Sequence, residues 1–174
     1  MSRQIVPQNY SLRPVTEEDH VLLISLHNDP EVLRNLKNDR PITFGHHMSW
    51  WNRVSHDPKE KRLIFFIDAQ RIGFTKFYDI DAVNRSCVLG ADIEKSFRGK
   101  GLAKHMWSLM LDHCFNDTDL NRVSLTTAEF NVIGQRVYRN LGFIEEGRHI
   151  QALFRDGKFH DEILMYMLRD QWVT

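Results

Sequence analysis

The segment between residues 87 and 115 constrains the fold of this chain more than any other. An apolar strand, Cys87 to Ile93, is followed by Glu-Lys-Ser-Phe-Arg-Gly-Lys-Gly-Leu-Ala and then by a long apolar helix that runs to Phe115. The wide apolar face of this helix predicts that it is substantially buried. Glycines allow close approach of the backbone to a ligand, and the first N–H groups of a helix lack partners within it. We therefore expect a strand, a turn that binds phosphate or pyrophosphate, and a helix.

The remaining segments complete a mixed α/β pattern. Strands are predicted at residues 9–14, 63–67, 72–78, 123–128, 143–154 and 159–168, and helices at 16–28, 31–36, 44–55 and 131–141. Thr16, with Asp19 three residues later, is typical of a helix start. Asp156-Gly157 is typical of a tight turn between two strands. Hairpins beside helical crossovers predict an α/β (α+β) fold with a mixed, mostly antiparallel sheet of about seven strands flanked by helices.

Composition restricts the function classes. The 174 residues fit a single domain, which we place at 1–174. Lys and Arg number 23 and Asp and Glu number 23, so no long-range attraction to nucleic acid is built in. No apolar run reaches the roughly 18 residues of a membrane span, and the N-terminus does not resemble a signal peptide. We expect a cytoplasmic protein with no nucleic acid, membrane or metal partner, and with buried free thiols at Cys87 and Cys114.

A second constellation follows about thirty residues after the glycine-containing turn. The segment from Asn131 to Phe143 predicts a helix with Asn131 as its N-cap and Gly142 as its C-cap. Gly134 and Tyr138 are four residues apart and share one helical face, so the glycine leaves space beside the phenol. Taken alone, Tyr138 also fits a packing aromatic, and the turn also fits an ordinary strand-to-helix connection.

Together the two segments resemble the GNAT N-acetyltransferases. That family's signatures are Arg/Gln-x-x-Gly-x-Gly/Ala and Asn-x-x-Ala-x-x-x-Tyr-x-x-x-Gly-Phe. This chain carries, in the same order, Arg98-x-x-Gly101-x-Ala103 and Asn131-x-x-Gly134-x-x-x-Tyr138-x-x-x-Gly142-Phe143. Gly134 stands where the family usually has alanine. The resemblance covers residues 9–172 and implies acetyl-CoA as co-substrate, with direct attack of a neutral amine on the thioester.

The resemblance also implies roles for individual residues. The donor's pyrophosphate would lie on the N–H groups of the turn, and its pantetheine arm would run beside the fourth strand. Tyr138 would protonate the leaving thiolate. The residues implied to bind the donor are Ala91, Ile93, Arg98, Gly99, Lys100, Gly101, Leu102, Ala103 and Asn131.

The general base and the acceptor stay open at the level of sequence. The carboxylates Asp92, Glu94 and Glu129 are candidate bases, and each also fits a solvated charge at a strand end. His46 and His47 are further candidates, although we expect them on the surface. The N-terminal half resembles enzymes that acetylate nucleotide-linked amino sugars and also the ribosomal-protein N-terminal acetyltransferases. We expect a small-molecule amine acceptor of the first kind. A protein N-terminus or a polyamine is the alternative acceptor, and a non-catalytic CoA-binding module is the alternative of another class. A homodimer is left open.

Overall fold

The computed structural model describes residues 9–172, so the start of the chain, where we expect no signal peptide, lies outside the described residues. Seven strands form one sheet in the order β1-β2-β3-β4-β5-β7-β6. Neighbouring strands are antiparallel except for the parallel pair β4 and β5. This confirms the predicted mixed, mostly antiparallel sheet. The strands are β1 Tyr10–Pro14, β2 Lys61–Ile67, β3 Gln70–Asp81, β4 Ser86–Ile93, β5 Arg122–Ala128, β6 Ile144–Arg155 and β7 Lys158–Leu168.

Helices cover both faces of this sheet. They are α1 His20–Asn28, α2 Pro30–Leu33, α3 Phe44–Val54, α4 Leu102–Asn116 and α5 Val132–Leu141. On one face, α1 packs Leu23 and Leu26 against Ile64 and Phe74. On the other face, α4 and α5 close the larger core, and α4 is buried as its wide apolar face predicts. Within residues 9–172, no helix is long and apolar enough to cross a membrane.

The parallel pair β4 and β5 is held together only at one end. Residues Ser86–Val88 pair with Arg122–Ser124. Beyond this point β4 continues to Ile93 and β5 to Ala128, and the two strands no longer pair with each other. The strands therefore separate towards their carboxyl ends, and a cleft opens between them. Polar or reactive residues at these two strand ends consequently face each other across the cleft.

Asp19 fastens the first helical segment to the sheet. Its carboxylate accepts hydrogen bonds from the Thr16 N–H (2.7 Å), from Arg13 (3.0 Å) and from Arg71 (3.1 Å), and the residue is fully buried. Burial raises the pKa of Asp19, but the hydrogen bonds from Arg13, Thr16 and Arg71 outweigh burial and lower the pKa to about 2. The predicted bond between Asp19 and Thr16 is thus present, and two arginines extend it into a tertiary anchor.

Two local features complete the comparison with the sequence. Cys87 and Cys114 are buried free thiols, as expected, and their Sγ atoms lie 3.9 Å apart. Strand β6 is not the plain strand that the sequence predicts. Its pairing with β7 shifts register between Glu145 and Gly147 and again between His149 and Leu153, because each β-bulge adds residues to one strand only.

Candidate active site

The turn between β4 and α4 has the backbone of an anion cradle. Gly99 and Gly101 have φ angles of 74° and 78°, in the left-handed region that favours glycine. A Cβ atom placed on either glycine would meet nothing within 4 Å, so the space above the turn is open. Gly101 is the N-cap of α4 and has no side chain to bond the first N–H groups of the helix. These N–H groups, at the positive end of the helix dipole, fit a phosphate or pyrophosphate.

The side chain of Arg98 is bonded within the protein, and contact of Arg98 with the donor stays a prediction. Its Nε donates to the Ile93 carbonyl (2.8 Å), and its Nη1 donates to Asp29 (3.1 Å) and Glu31 (2.7 Å). The guanidinium is therefore neutralised by carboxylates at the start of α2. Lys100 is exposed, with its ammonium 5.1 Å from the centre of the Phe97 ring. Lys100, which adjoins Gly101, is thus a cation of this turn that is accessible to an anionic ligand.

A groove of about 690 Å³ lies beside the turn. It is lined by Phe97, Lys100, Leu102 and residues 67–70 of the β2–β3 hairpin. A second cavity, of about 420 Å³, lies near Arg85 and Arg169 at the opposite end of the sheet. The groove beside the turn is therefore the one continuous with the candidate anion cradle.

Tyr138 lies on α5 within an aromatic cluster. Its ring meets Trp107 edge-on at 4.9 Å and Phe143 at 6.1 Å, and its side chain is half-buried against the larger core. Burial raises the pKa of the Tyr138 phenol, and the negative charge of Asp92 raises it further. The phenol is protonated at neutral pH, as an ordinary phenol is, and its raised pKa makes it a weaker acid than an ordinary phenol.

Asn131 confirms its predicted role as the N-cap of α5. Its Oδ1 accepts from the Gly134 N–H (3.1 Å), and its Nδ2 donates to Thr127 Oγ1 (3.0 Å). A Cβ atom on residue 134 would lie 2.5 Å from this Nδ2, so alanine at this position would require the Asn131 side chain to shift. Because the Asn131 amide is used within the protein, it orders the start of α5. Direct contact of Asn131 with the donor stays a prediction.

Asp92 is the candidate base that the structure places by the cleft. It lies on β4 opposite Phe74 of β3, so its side chain is on the α1 face of the sheet. Its carboxylate is 3.8 Å from the Lys76 ammonium. The charge of Asp92 also raises the pKa of Tyr138. It raises the pKa of His27 too, but burial of His27 has the larger effect and lowers that pKa overall. Asp92 therefore acts electrostatically on the proposed acid.

The other two carboxylate candidates have partners elsewhere. Glu94 follows the end of β4 and accepts a hydrogen bond from Ser96 Oγ at 3.0 Å. Glu129 follows the end of β5, and its Oε1 lies 2.8 Å from Nδ1 of His160 on β7. Of the three carboxylates, only the charge of Asp92 affects the pKa of Tyr138.

The two candidate histidines of α3 have different environments. His46 is exposed and its N–H donates to the Thr43 side chain, as a surface residue would. His47 is buried, and its Nε2 lies 2.9 Å from Nδ1 of His20. The surface position expected for His47 is therefore wrong, since α3 turns this residue onto α1. Burial lowers the pKa of His47, but its ring is committed to His20.

Glu162 is a functional candidate that sequence reasoning missed. It lies on β7 opposite Ala128 of β5 and is buried, with Nδ1 of His149 at 3.1 Å and the Lys37 ammonium at 3.5 Å. Burial raises the pKa of Glu162, but hydrogen bonds from His149, Lys37 and Thr126 and the charge of Lys37 lower it overall. Alternation along β7 could have placed Glu162 on the face opposite to Ile163. The pairing of β7 with β5 was needed to place Glu162 at the cleft.

The cleft floor is an uncovered part of the sheet. Register and alternation put Asp92, Thr126 and Glu162 on the face that carries α1. Thr126 is exposed even though β5 lies in the middle of the sheet. This face is therefore open at β5, and a second ligand can reach the cleft from the side of α1.

The family of the chain follows from comparison with known proteins. The acetyltransferase (GNAT) domain family matches residues 10–144, which include the anion cradle, Asn131 and Tyr138. The chain belongs to the GNAT acetyltransferase family. It is thus an N-acetyltransferase whose co-substrate is acetyl-CoA, and the alternative of a non-catalytic binding module is set aside.

Relatives of this GNAT enzyme differ in their acceptors. The chain is 26% identical over 163 residues to spermidine N(1)-acetyltransferase of Escherichia coli (strain K12), covering 94% of this chain and 88% of the relative. It is 27% identical over 157 residues to the L-amino acid N-acetyltransferase AaaT of the same organism, covering 88% and 94%. A solved structure of spermidine N-acetyltransferase from Vibrio cholerae, in complex with CoA and spermine, superposes with a TM-score of 0.88 at 25% identity, covering 93% of this chain and 96% of that one.

Proposed function

We propose that this enzyme acetylates a primary amine of a polyamine of the spermidine class. The observation that carries the proposal is the likeness, over nearly the whole chain, to an enzyme solved with CoA and spermine. The two carboxylates on the open face, Asp92 and Glu162, support it because a polycationic acceptor needs anionic partners. The relatives described above give no support to the nucleotide-linked amino sugar that the sequence led us to expect first, so that acceptor becomes a competing outcome of the test.

The donor fits the cradle at the start of α4. In the proposed complex, the N–H groups of Gly101, Leu102 and Ala103 would hold the pyrophosphate, and Lys100 would add a positive charge. Gly99 would permit close approach of the backbone. The separated ends of β4 and β5, at Ala91 to Ile93 and at Ala128, would take the pantetheine arm. The side chain of Arg98 would act indirectly, by holding the turn against Asp29 and Glu31.

The chemistry assigned to the site is a single transfer. The lone pair of the neutral amine attacks the acetyl carbon, a C–N bond forms and the C–S bond breaks. The Tyr138 O–H, which is protonated at neutral pH, gives its proton to the departing sulfur. The nitrogen loses one proton as the amide forms, and that proton returns to the Tyr138 oxygen through water. Carboxylates are much weaker bases than amines, so Asp92 would orient the ammonium and pass its proton to water without retaining it.

A panel of acceptors tests the proposed function. Release of the CoA thiol would be followed with spermidine, spermine, putrescine, an amino acid, an N-terminal peptide and a nucleotide-linked amino sugar. We expect the highest kcat/KM with spermidine or spermine, and mass spectrometry should show one added acetyl group. Tyr138→Phe serves as the control for enzyme-dependent transfer. A higher kcat/KM for the amino sugar, the peptide or the amino acid would refute the polyamine assignment.

A further inference from the structure

A primary ammonium group of the protein itself already sits at Glu162. Lys37, in the segment between α2 and α3, places its ammonium 3.5 Å from the Glu162 carboxylate. The Lys37 side chain is 73% exposed, whereas that of Glu162 is 6% exposed. An ion pair with one exposed, flexible partner is weak and easily exchanged. The buried carboxylate, in contrast, requires a cation or hydrogen-bond donors at all times. This arrangement fits a carboxylate that exchanges one alkylammonium for another.

The position of Glu162 relative to the reaction site sets a length. Val88 of β4 pairs with Ser124 of β5. Four residues further along each strand come Asp92 and Ala128, which therefore lie at the same level of the sheet. Ala128 in turn pairs with Glu162 of β7. Adjacent strands are about 4.8 Å apart, so the backbones at Asp92 and Glu162 are separated by at least about 9.6 Å across two spacings. The divergence of β4 and β5 adds to this distance.

Among simple polyamines, this distance selects by chain length. An extended chain advances about 1.2 Å per bond, so the terminal nitrogens of spermidine, nine bonds apart, are separated by about 11 Å, and those of putrescine, five bonds apart, by about 6 Å. Putrescine is therefore shorter than the smallest backbone separation of Asp92 and Glu162, whereas spermidine exceeds that separation. When no acceptor is bound, the Lys37 ammonium occupies the site at Glu162.

We propose that Glu162 is a specificity-determining residue that binds the ammonium at the far end of the acceptor, in competition with Lys37. The inference rests on the proposed polyamine function and deepens it. Glu162 takes no part in bond making, so its effect falls on acceptor affinity. Acceptors long enough to span the cleft gain from it, and shorter ones do not.

Steady-state kinetics on three variants tests this inference. Glu162→Gln removes the charge and keeps the shape, and it should raise the KM for spermidine ten-fold or more while changing kcat less than two-fold. The KM for putrescine should change less than two-fold. Lys37→Met removes the competitor and should lower the KM for spermidine about two- to five-fold, a gain that a merely structural role of the ion pair would not produce. Asp161→Asn is the matched control, because this neighbouring carboxylate bonds the Gln151 N–H on the other side of β7 and should leave every KM unchanged.

The outcomes separate the two proposals. If the wild-type enzyme acetylates no polyamine, the proposed function fails. If it acetylates spermidine and Glu162→Gln leaves that KM unchanged, or raises the KM for putrescine equally, the role of Glu162 alone is overturned. If Glu162→Gln does not fold, Lys37→Met still decides, because an unchanged or raised KM for spermidine contradicts competition at Glu162.

Discussion

Replacing Asp19 with asparagine tests whether this buried carboxylate holds the start of α1 to the sheet. The asparagine side chain has nearly the same shape as the aspartate but cannot carry the charge that Arg13 and Arg71 neutralise. The pKa of Asp19 falls from an ordinary value of 3.8 to about 2. At 1.36 kcal/mol per pKa unit, this corresponds to about 2.4 kcal/mol of stability. We expect Asp19→Asn to lower the free energy of unfolding at pH 7 by about that amount.

The pH dependence of this loss gives the sharper readout. Because the pKa is lower in the folded state, the stabilisation is fully present above the unfolded value of 3.8 and is lost as the pH falls through about 2. Urea unfolding followed by circular dichroism between pH 7 and pH 3 would give the free energy at each pH. The difference between wild type and Asp19→Asn should be constant from pH 7 to about pH 5 and should shrink below pH 4.

A matched control and a refuting result complete this test. Asp170→Asn, at an exposed position near the C-terminus, should change the free energy of unfolding by less than about 0.5 kcal/mol. A difference between wild type and Asp19→Asn that stays constant down to pH 3 would show that the charge of Asp19 is not the source of its stabilisation. A loss of less than about 1 kcal/mol at pH 7 would contradict the anchoring role altogether.

Three further predictions concern the donor and the proton. Tyr138→Phe should lower kcat by about ten-fold or more and leave the Kd for acetyl-CoA unchanged, because only the proton donor is removed; an unchanged kcat would exclude Tyr138 from the reaction. Gly101→Val should raise the Kd for acetyl-CoA by about ten-fold or more in calorimetry, since a branched side chain is strained at a φ of 78° and fills the open space above the turn; an unaltered Kd would contradict the position of the pyrophosphate. Lys100→Ala should raise this Kd about three- to ten-fold. Arg98→Ala should mainly lower the melting temperature, because Asp29 loses its partner. A raised Kd for Arg98→Ala and an unchanged Kd for Lys100→Ala would instead identify Arg98 as the phosphate contact.

Local patterns were enough to locate most of the fold. The anion cradle and the start of α5 depend on residues that are close in sequence, such as Gly101 with Leu102 and Asn131 with Gly134. Hydrophobic periodicity and capping chemistry report such contacts directly. The order of strands in the sheet was not predicted, since β7 lies between β5 and β6 and pairs with β5.

Contacts between distant segments could not be anticipated in the same way. Arg98 looks like a phosphate ligand in its own segment, and only the packing of α2 against the turn shows that Asp29 and Glu31 neutralise it. Glu162 meets Lys37 through the folding of β7 under the α2–α3 connection, which no local pattern records. For the same reason, periodicity on α3 did not show that His47 turns onto His20.

The short pairing of β4 with β5 gives the sheet four edges instead of two. Unpaired strand edges recruit strands of other molecules, which is a common route to aggregation. The outer edges are poor templates, because β1 has five residues and ends in Pro14, and β6 is interrupted by two register shifts. The inner edges, beyond Val88 and Ser124, face each other across the cleft. The enzyme therefore keeps two strand edges inside the cleft while giving a neighbouring chain little edge on which to add a strand.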